Sequence, residues 1–309
     1  LCTFIFYFFE CFISFPGLFG QVLLLHFQYS YDLIYPMSST LAIRKYTAVI
    51  RVGISKAMEY RTNFISNSFL WLIITVFVQV CLWQAVYASS SGHIAGSSVS
   101  QMMLYIICAS ICLSLTYSGK VERAAAEEIR NGELNKYLLK PISHLLYTFA
   151  SSLADRAFGF FFIVFLGTVI GISASVSGII SLSLAGCLLA LLFVIFAVIL
   201  RFLMSMIISY LAFWMDETWT FHVVLDISLW FLSGMMLPMS ILPESVRRVS
   251  DILPFQYLAY IPAGFLSGRL SPESAFSIGG VGVLWIGILW GLTVFIWRRG
   301  VLKFGAYGG

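Results

Sequence analysis

The side chains in this chain that could do chemistry are few, and their spacing points to ion pairing and docking, not bond breaking. One short window carries Glu127, Glu128, Arg130, Glu133, Lys136 and Lys140, although only 10% of the 309 residues are charged. Four further charges, Asp155, Arg156, Arg201 and Asp226, stand inside or at the edge of apolar runs. A charge at mid-bilayer costs about 2.5–3.5 kcal/mol on insertion scales, so each of these needs a partner or a route to water. Asp155 and Arg156 are adjacent and point apart on a helix. Each is expected to find another partner at the cytoplasmic boundary, and snorkelling there is a simpler reading than a transport role. Arg201 lies about sixteen ångströms of helix rise before Ala212, and Asp226 about nine beyond Thr220. Those depths put the two forward as a pair.

Catalytic and metal-binding patterns are missing. His26, His93, His144 and His222 are scattered, with no HExxH, and the serines form no GxSxG elbow. Cys108 and Cys112 share a helix face, but no His or acid joins them and no CxxC occurs, so they read as small core hydrophobes. No GxxxxGK[ST] loop is present, so the chain has no P-loop for ATP. Basic runs interleaved with aromatics are also absent, which argues against nucleic acid as a partner.

The elements that must position these charges are membrane spans. Hydrophobic residues make up 60% of the chain, whereas soluble domains run near 45–50%. The surplus must face lipid. A span needs about 20 apolar residues, and runs of this kind occur at 64–87, 101–117, 153–172, 179–212, 221–237 and 278–297. Lys and Arg are placed unevenly between them. Five precede the first span (Arg44, Lys45, Arg51, Lys56, Arg61), five separate the second from the third (Lys120, Arg123, Arg130, Lys136, Lys140) and three follow the sixth (Arg298, Arg299, Lys303). The intervening loops 88–100 and 173–178 have none. The positive-inside rule then puts both termini in the cytoplasm. The Pro-rich stretch 238–272, with Arg247, Arg248 and Arg269, falls outside as a mild exception. The expected fold is therefore an all-α integral membrane protein with six transmembrane helices.

Residues 1–36 fit this scheme poorly. They hold no Lys or Arg, are crowded with Phe and Tyr, and are broken at Pro16–Gly17. The expectation is that they are an upstream extension ahead of a natural start at Met37, or else an extra hydrophobic segment. Residues 37–309 then form a single domain. Residues 41–61 alternate cations with Ile43, Val49, Ile50, Ile54 and Met58, the pattern of a helix on the cytoplasmic membrane surface.

Two loops stand out. In the cytoplasmic loop 119–143, Val121 to Arg130 has high helix propensity, Asn131-Gly132 is a stop signal, and Pro141 ends a second helical piece. In that piece Leu134, Tyr137 and Leu138 are spaced as one apolar face. Outside, Pro238, Pro243, Pro254 and Pro262 break an apolar segment. Irregular backbone cannot face lipid, so short re-entrant helices are expected, one over 245–253 with Pro243 and Glu244 at its start.

The run Glu-Glu-Ile-Arg-Asn-Gly-Glu-Leu…Tyr-Leu-Leu-Lys-Pro-Ile resembles the cytoplasmic loop after span 2 in permease subunits of type-2 ATP-binding-cassette (ABC) exporters. Gly234…Leu237-Pro238…Leu242-Pro243…Leu253-Pro254-Phe255…Pro262…Gly268 is similar to their external segment between spans 5 and 6. The resemblance covers roughly 38–307, and it is to the branch that includes bacterial drug- and antibiotic-export permeases. It implies a dimer with a second permease subunit, the same or homologous, docked in the cell membrane on an ABC ATPase subunit dimer. ATP and Mg would be bound by that partner, and this chain would need no cofactor or metal and have no catalytic residue. It further implies that Glu127, Glu128, Ile129, Arg130, Gly132, Glu133, Leu134, Tyr137, Leu138 and Pro141 couple to the ATPase, and that Pro238, Pro243, Pro254 and Phe255 form an outer gate. The expected cargo is hydrophobic or amphiphilic. The rival readings are a membrane-embedded lipid-modifying enzyme, which would need a catalytic cluster that the sequence does not display, and a membrane assembly protein.

Overall fold

The computed structural model describes residues 39–59, 61–88, 93–94, 97–117, 119–138, 142–176, 183–239 and 241–304. The segment 1–36, the expected start at Met37 and Pro141 lie outside the described residues. Eleven α-helices account for most of the rest: α1 (Ser39–Glu59), α2 (Arg61–Ala88), α3 (Val99–Thr116), α4 (Gly119–Arg130), α5 (Asn135–Leu138), α6 (His144–Val176), α7 (Leu184–Tyr210), α8 (Trp219–Leu232), α9 (Glu244–Ile252), α10 (Tyr260–Leu266) and α11 (Ala275–Val301). The only departure from helix and turn among the described residues is a two-residue antiparallel ladder, His93–Ile94 against Ser97–Ser98. It leads into α3 through a capping box, in which Ser98 Oγ accepts from Gln101 N and Gln101 Oε1 accepts from Ser98 N.

Among the described residues, three helical stretches are long and apolar enough to cross a bilayer, Val99–Arg130, Leu184–Phe213 and Pro272–Val301. Leu72–Ala88 and Trp219–Leu232 are apolar but shorter. Helix α7 is the hub. Phe193, Ile199, Leu200, Phe202, Leu203, Met206 and Tyr210 along it are almost wholly buried, and α4, α10 and α11 all pack on it. The lipid-facing positions are elsewhere: Phe77, Leu188, Val224, Ile227, Leu284 and Phe295 are exposed apolar side chains. On a protein that spans a bilayer these meet acyl chains, not water.

Several boundaries differ from expectation for identifiable reasons. The third span was expected to begin at 153, but α6 starts at His144. Its first turns bury Leu145, Thr148, Phe149 and Ser152 against the protein, so the helix continues below the apolar run. The fifth was expected to run to 237, but α8 stops at Leu232. Gly234 takes φ +81° there, and Tyr105 Oη donates to its carbonyl at 2.8 Å. At 14 residues, α8 rises only about 21 Å, against about 30 Å of hydrocarbon. Helix α1 exposes Arg44, Arg51 and Lys56 as an interfacial helix should, and it also packs along α6, burying Tyr46.

The glycines of α11 differ in how closely their neighbours approach. A Cβ on Gly282 would lie 2.8 Å from Phe196 and Tyr257, whereas Gly279 and Gly280 face open space. The tightest approach comes later, at Gly300, where a Cβ would sit 2.1 Å from the Phe213 ring. Gly300→Ala should therefore destabilise the folded protein by about 1–3 kcal/mol through overpacking, and Gly279→Ala should not. Thermal unfolding in detergent compares the two directly; equal midpoints would show that α11 and the end of α7 are not wedged together.

Candidate functional site

The loop between α3 and α6 is folded over its described residues 119–138. Its first helix, α4, ends in a Schellman turn. Gly132 takes φ +73°, Glu133 N donates to Glu128 O at 2.9 Å, and Gly132 N donates to Ile129 O at 3.3 Å. A side chain at 132 would strain that conformation. The turn reverses the chain so that Ile129, Leu134 and Tyr137 enter the same apolar cluster as Ala125 and Ala126 of α4 and the α7 core. Leu138 does not join them. It is 47% exposed, because α5 lasts only four residues and cannot hold Leu134, Tyr137 and Leu138 on one face. Of the loop residues singled out in the sequence, Glu127, Arg130, Glu133 and Leu138 face outward, alongside Ala124, Asn131, Asn135 and Lys136.

Glu128 is the loop's internal anchor. Its carboxylate accepts from Lys136 Nζ at 2.9 Å and from Tyr137 Oη at 3.3 Å, and lies 3.5 Å from His144 Nε2. His144 is buried, shares a hydrogen bond with Tyr210 Oη at 3.0 Å, and stacks on Trp297 with ring centroids 5.0 Å apart. Loop, α6, α7 and α11 thus meet around one imidazole. Burial raises the Glu128 pKa, but the adjacent His144 and the hydrogen bond from Lys136 outweigh that and hold it below the ordinary carboxylate value. Burial also lowers Lys136, and its bonds to Glu128 and Glu133 more than restore it.

Beneath the spans lies a second network. Glu122, only 1% exposed, pairs with Arg156 at 3.0 Å. Arg156 also donates to Thr116 O at 3.1 Å and to Ser152 Oγ at 2.7 Å. It is therefore buried and fully engaged, not snorkelling as expected, because the lower turns of α6 are covered by α3 and α4. Asp155, on the neighbouring face, is half-buried within electrostatic reach of Lys120. Asp226 sits between two guanidiniums: Arg201 holds one carboxylate oxygen, and Arg123 the other at 2.8 Å. Ser209 Oγ binds both the Glu122 carbonyl and His222 Nε2, and Arg130 reaches the Asp216 carbonyl at 2.8 Å. The first turn of α4 is thus tied to α6 through Glu122 and to α7 and α8 through Arg123.

The depth argument brought Arg201 and Asp226 together; nothing in the sequence singled out Glu122, Arg123, His144 or Tyr210. The only available signal was that Glu122 and Arg123 fall directly at the junction between a span and its loop.

On the opposite side, the Pro-rich stretch is fastened to its surroundings. Pro243 caps α9 and is exposed, Pro238 and Pro254 are buried, and Phe255 packs against the main core. Tyr257 Oη donates to Ile278 O at 2.7 Å, Trp285 Nε1 to Ile252 O at 3.0 Å, and Ser250 Oγ to Leu232 O at 2.7 Å. The two short helices α9 and α10 lie between the fifth and sixth apolar segments. Among the described residues no group of His, Cys, Asp and Glu is arranged to hold a metal.

Apolar helices of bilayer length above a folded, ion-paired loop define a multi-pass membrane protein. The family of ABC-2 family transporter proteins matches residues 70–308, and the chain belongs to it. It is a membrane permease component of an ABC transporter, a class that generally has no ATPase site of its own and works with an ABC ATPase subunit. No curated protein matches the chain.

Breaking a buried ion pair by removing one partner costs about 3–5 kcal/mol, whereas replacing both with apolar groups costs far less. Glu122→Gln or Arg156→Gln alone should sharply lower the thermal midpoint, and Glu122→Leu with Arg156→Met should recover most of the loss. A double variant no better than the worse single one would show that the pair is not what stabilises this end. For Glu128 the folded carboxyl is held low, so its contribution is complete above about pH 4.5 and is lost as the pH falls through the lower folded value. Hydrogen exchange of 128–137 should stay slow down to that range and rise below it, and Glu128→Gln should abolish the pH step.

Proposed function

We propose that this chain is the membrane-spanning subunit of an ATP-driven exporter, with six spans and both termini in the cytoplasm. It moves a hydrophobic or amphiphilic substrate out of the cell across the cell membrane. Two permease subunits, identical or homologous, would enclose the path, and a pair of ATPase subunits would bind ATP and Mg beneath them. The observation that carries this reading is the tie between α4 and three separate helices, through Glu122–Arg156 and through Asp226 held by Arg123 and Arg201. A lever for force needs a rigid body with one free surface. The buried network supplies the rigidity, and Glu127, Arg130, Glu133 and Leu138 supply the surface.

The division of labour gives two classes of variant. Glu133→Lys and Leu138→Asp change exposed residues and should weaken association with the ATPase about tenfold or more, as central interface residues do, without lowering stability. Arg123→Gln and Asp226→Asn should leave the ATPase bound and hydrolysing but reduce export. Co-purification and transport assays on the reconstituted complex separate the classes. Wild-type ATPase affinity in both surface variants would remove the loop as the dock. Full export by both network variants would remove the network as the transmitter.

A further inference from the structure

At the end of α11 the chain forms a groove of about 700 Å³ lined by Trp214, Phe295, Ile296, Arg299, Leu302 and Lys303. Its walls are held in place from behind, where Phe213 nests on Gly300 and lies 5.7 Å from the Trp297 ring. Phe295 and Leu302 are 57% and 85% exposed. Arg299 leans over the Phe295 ring at 5.5 Å, and among the described residues neither Arg299 nor Lys303 makes an ion pair. The Glu217 carboxylate accepts from Trp219 N. Two cations one helical turn apart therefore stand without counter-charge at the end of a bilayer-length helix, above an apolar wall and beside a tryptophan.

We propose that this groove binds an anionic phospholipid of the leaflet in which α11 ends. Arg299 and Lys303 hold the phosphate, and one acyl chain lies along Phe295, Leu302 and Trp214. Cations set among apolar side chains at the membrane surface recognise negative headgroups in this way, and the Trp indole suits the same depth. A soluble anion would satisfy the cations but would leave the apolar wall uncovered, so the lipid is the better occupant. The groove adjoins the loop surface, since Arg130 reaches the Asp216 carbonyl two residues from Trp214, but it shares no residue with the ion network and does not depend on the export reading.

The test is lipid retention by the purified protein, measured by native mass spectrometry after exchange into detergent with phosphatidylglycerol or phosphatidylcholine. The wild type should retain phosphatidylglycerol preferentially. Arg299→Gln with Lys303→Gln should weaken that retention about thirty-fold, two surface cations' worth. Arg248→Gln, an exposed cation outside the groove, should leave it unchanged. Equal retention of the two lipids, undiminished retention by the double variant, or displacement of phosphatidylglycerol by millimolar inorganic phosphate would each overturn the proposal. Loss of export or of ATPase binding has no bearing on this measurement, so the two readings fail separately.

Discussion

Removing a guanidinium from water is costly, and this protein does it three times at one end of its bundle. Arg156, Arg201 and, in part, Arg123 are withdrawn from solvent beside only two carboxylates, Glu122 and Asp226. Arg156 has its donors engaged, while Arg123 Nε and Arg201 Nη1 are buried without a hydrogen-bond partner among the described residues; such groups are tolerable only when the ion-pair geometry is tight. That requirement dictates the local architecture. The α6 helix must begin ahead of its apolar run, at His144, to present Ser152 and Arg156. The α7 helix must be buried in its second half to deliver Arg201 and Ser209. The α8 helix must begin early enough to place Asp226 against both partners. Helix α4, which supplies Glu122 and Arg123, is thereby fixed to all three.

Rigidity below has a counterpart above. Gly234 in a left-handed conformation, the Tyr105 hydroxyl on its carbonyl and the bonds from Tyr257 and Trp285 hold the Pro-rich stretch against α3 and α11. The bonds to Gly234 O and Ile252 O use side chains to cap carbonyls at a turn and at the end of α9, which is what irregular backbone near lipid demands. Between the two ends lie apolar contacts with few polar anchors.

What the sequence made legible follows from which signals are costly. Arg201 and Asp226 could be matched because isolated charges in apolar runs are rare enough to demand each other. The turn at Asn131-Gly132 was readable because few residues adopt positive φ. Glu122 and Arg123 were not readable: on a charged amphipathic helix a buried ion looks like a solvated one, and only tertiary packing distinguishes them. The same blindness misplaced Leu138, whose spacing was correct for a longer helix than the four residues that form. The end of α8 was hidden too, since Met235, Met236 and Leu237 prolong the apolar run past the turn at Gly234. Gly279 and Gly280 face open space; the close contact is at Gly300, beyond the apolar run.

The central claim is that α4 and the inner part of α8 move as one body. Spin labels at exposed Glu127 and Val224, in a background with the native cysteines replaced, measure this by pulsed dipolar spectroscopy on the intact transporter. The account predicts the same narrow distance distribution with and without nucleotide. A distribution that shifts by several ångströms or splits when nucleotide binds would contradict it.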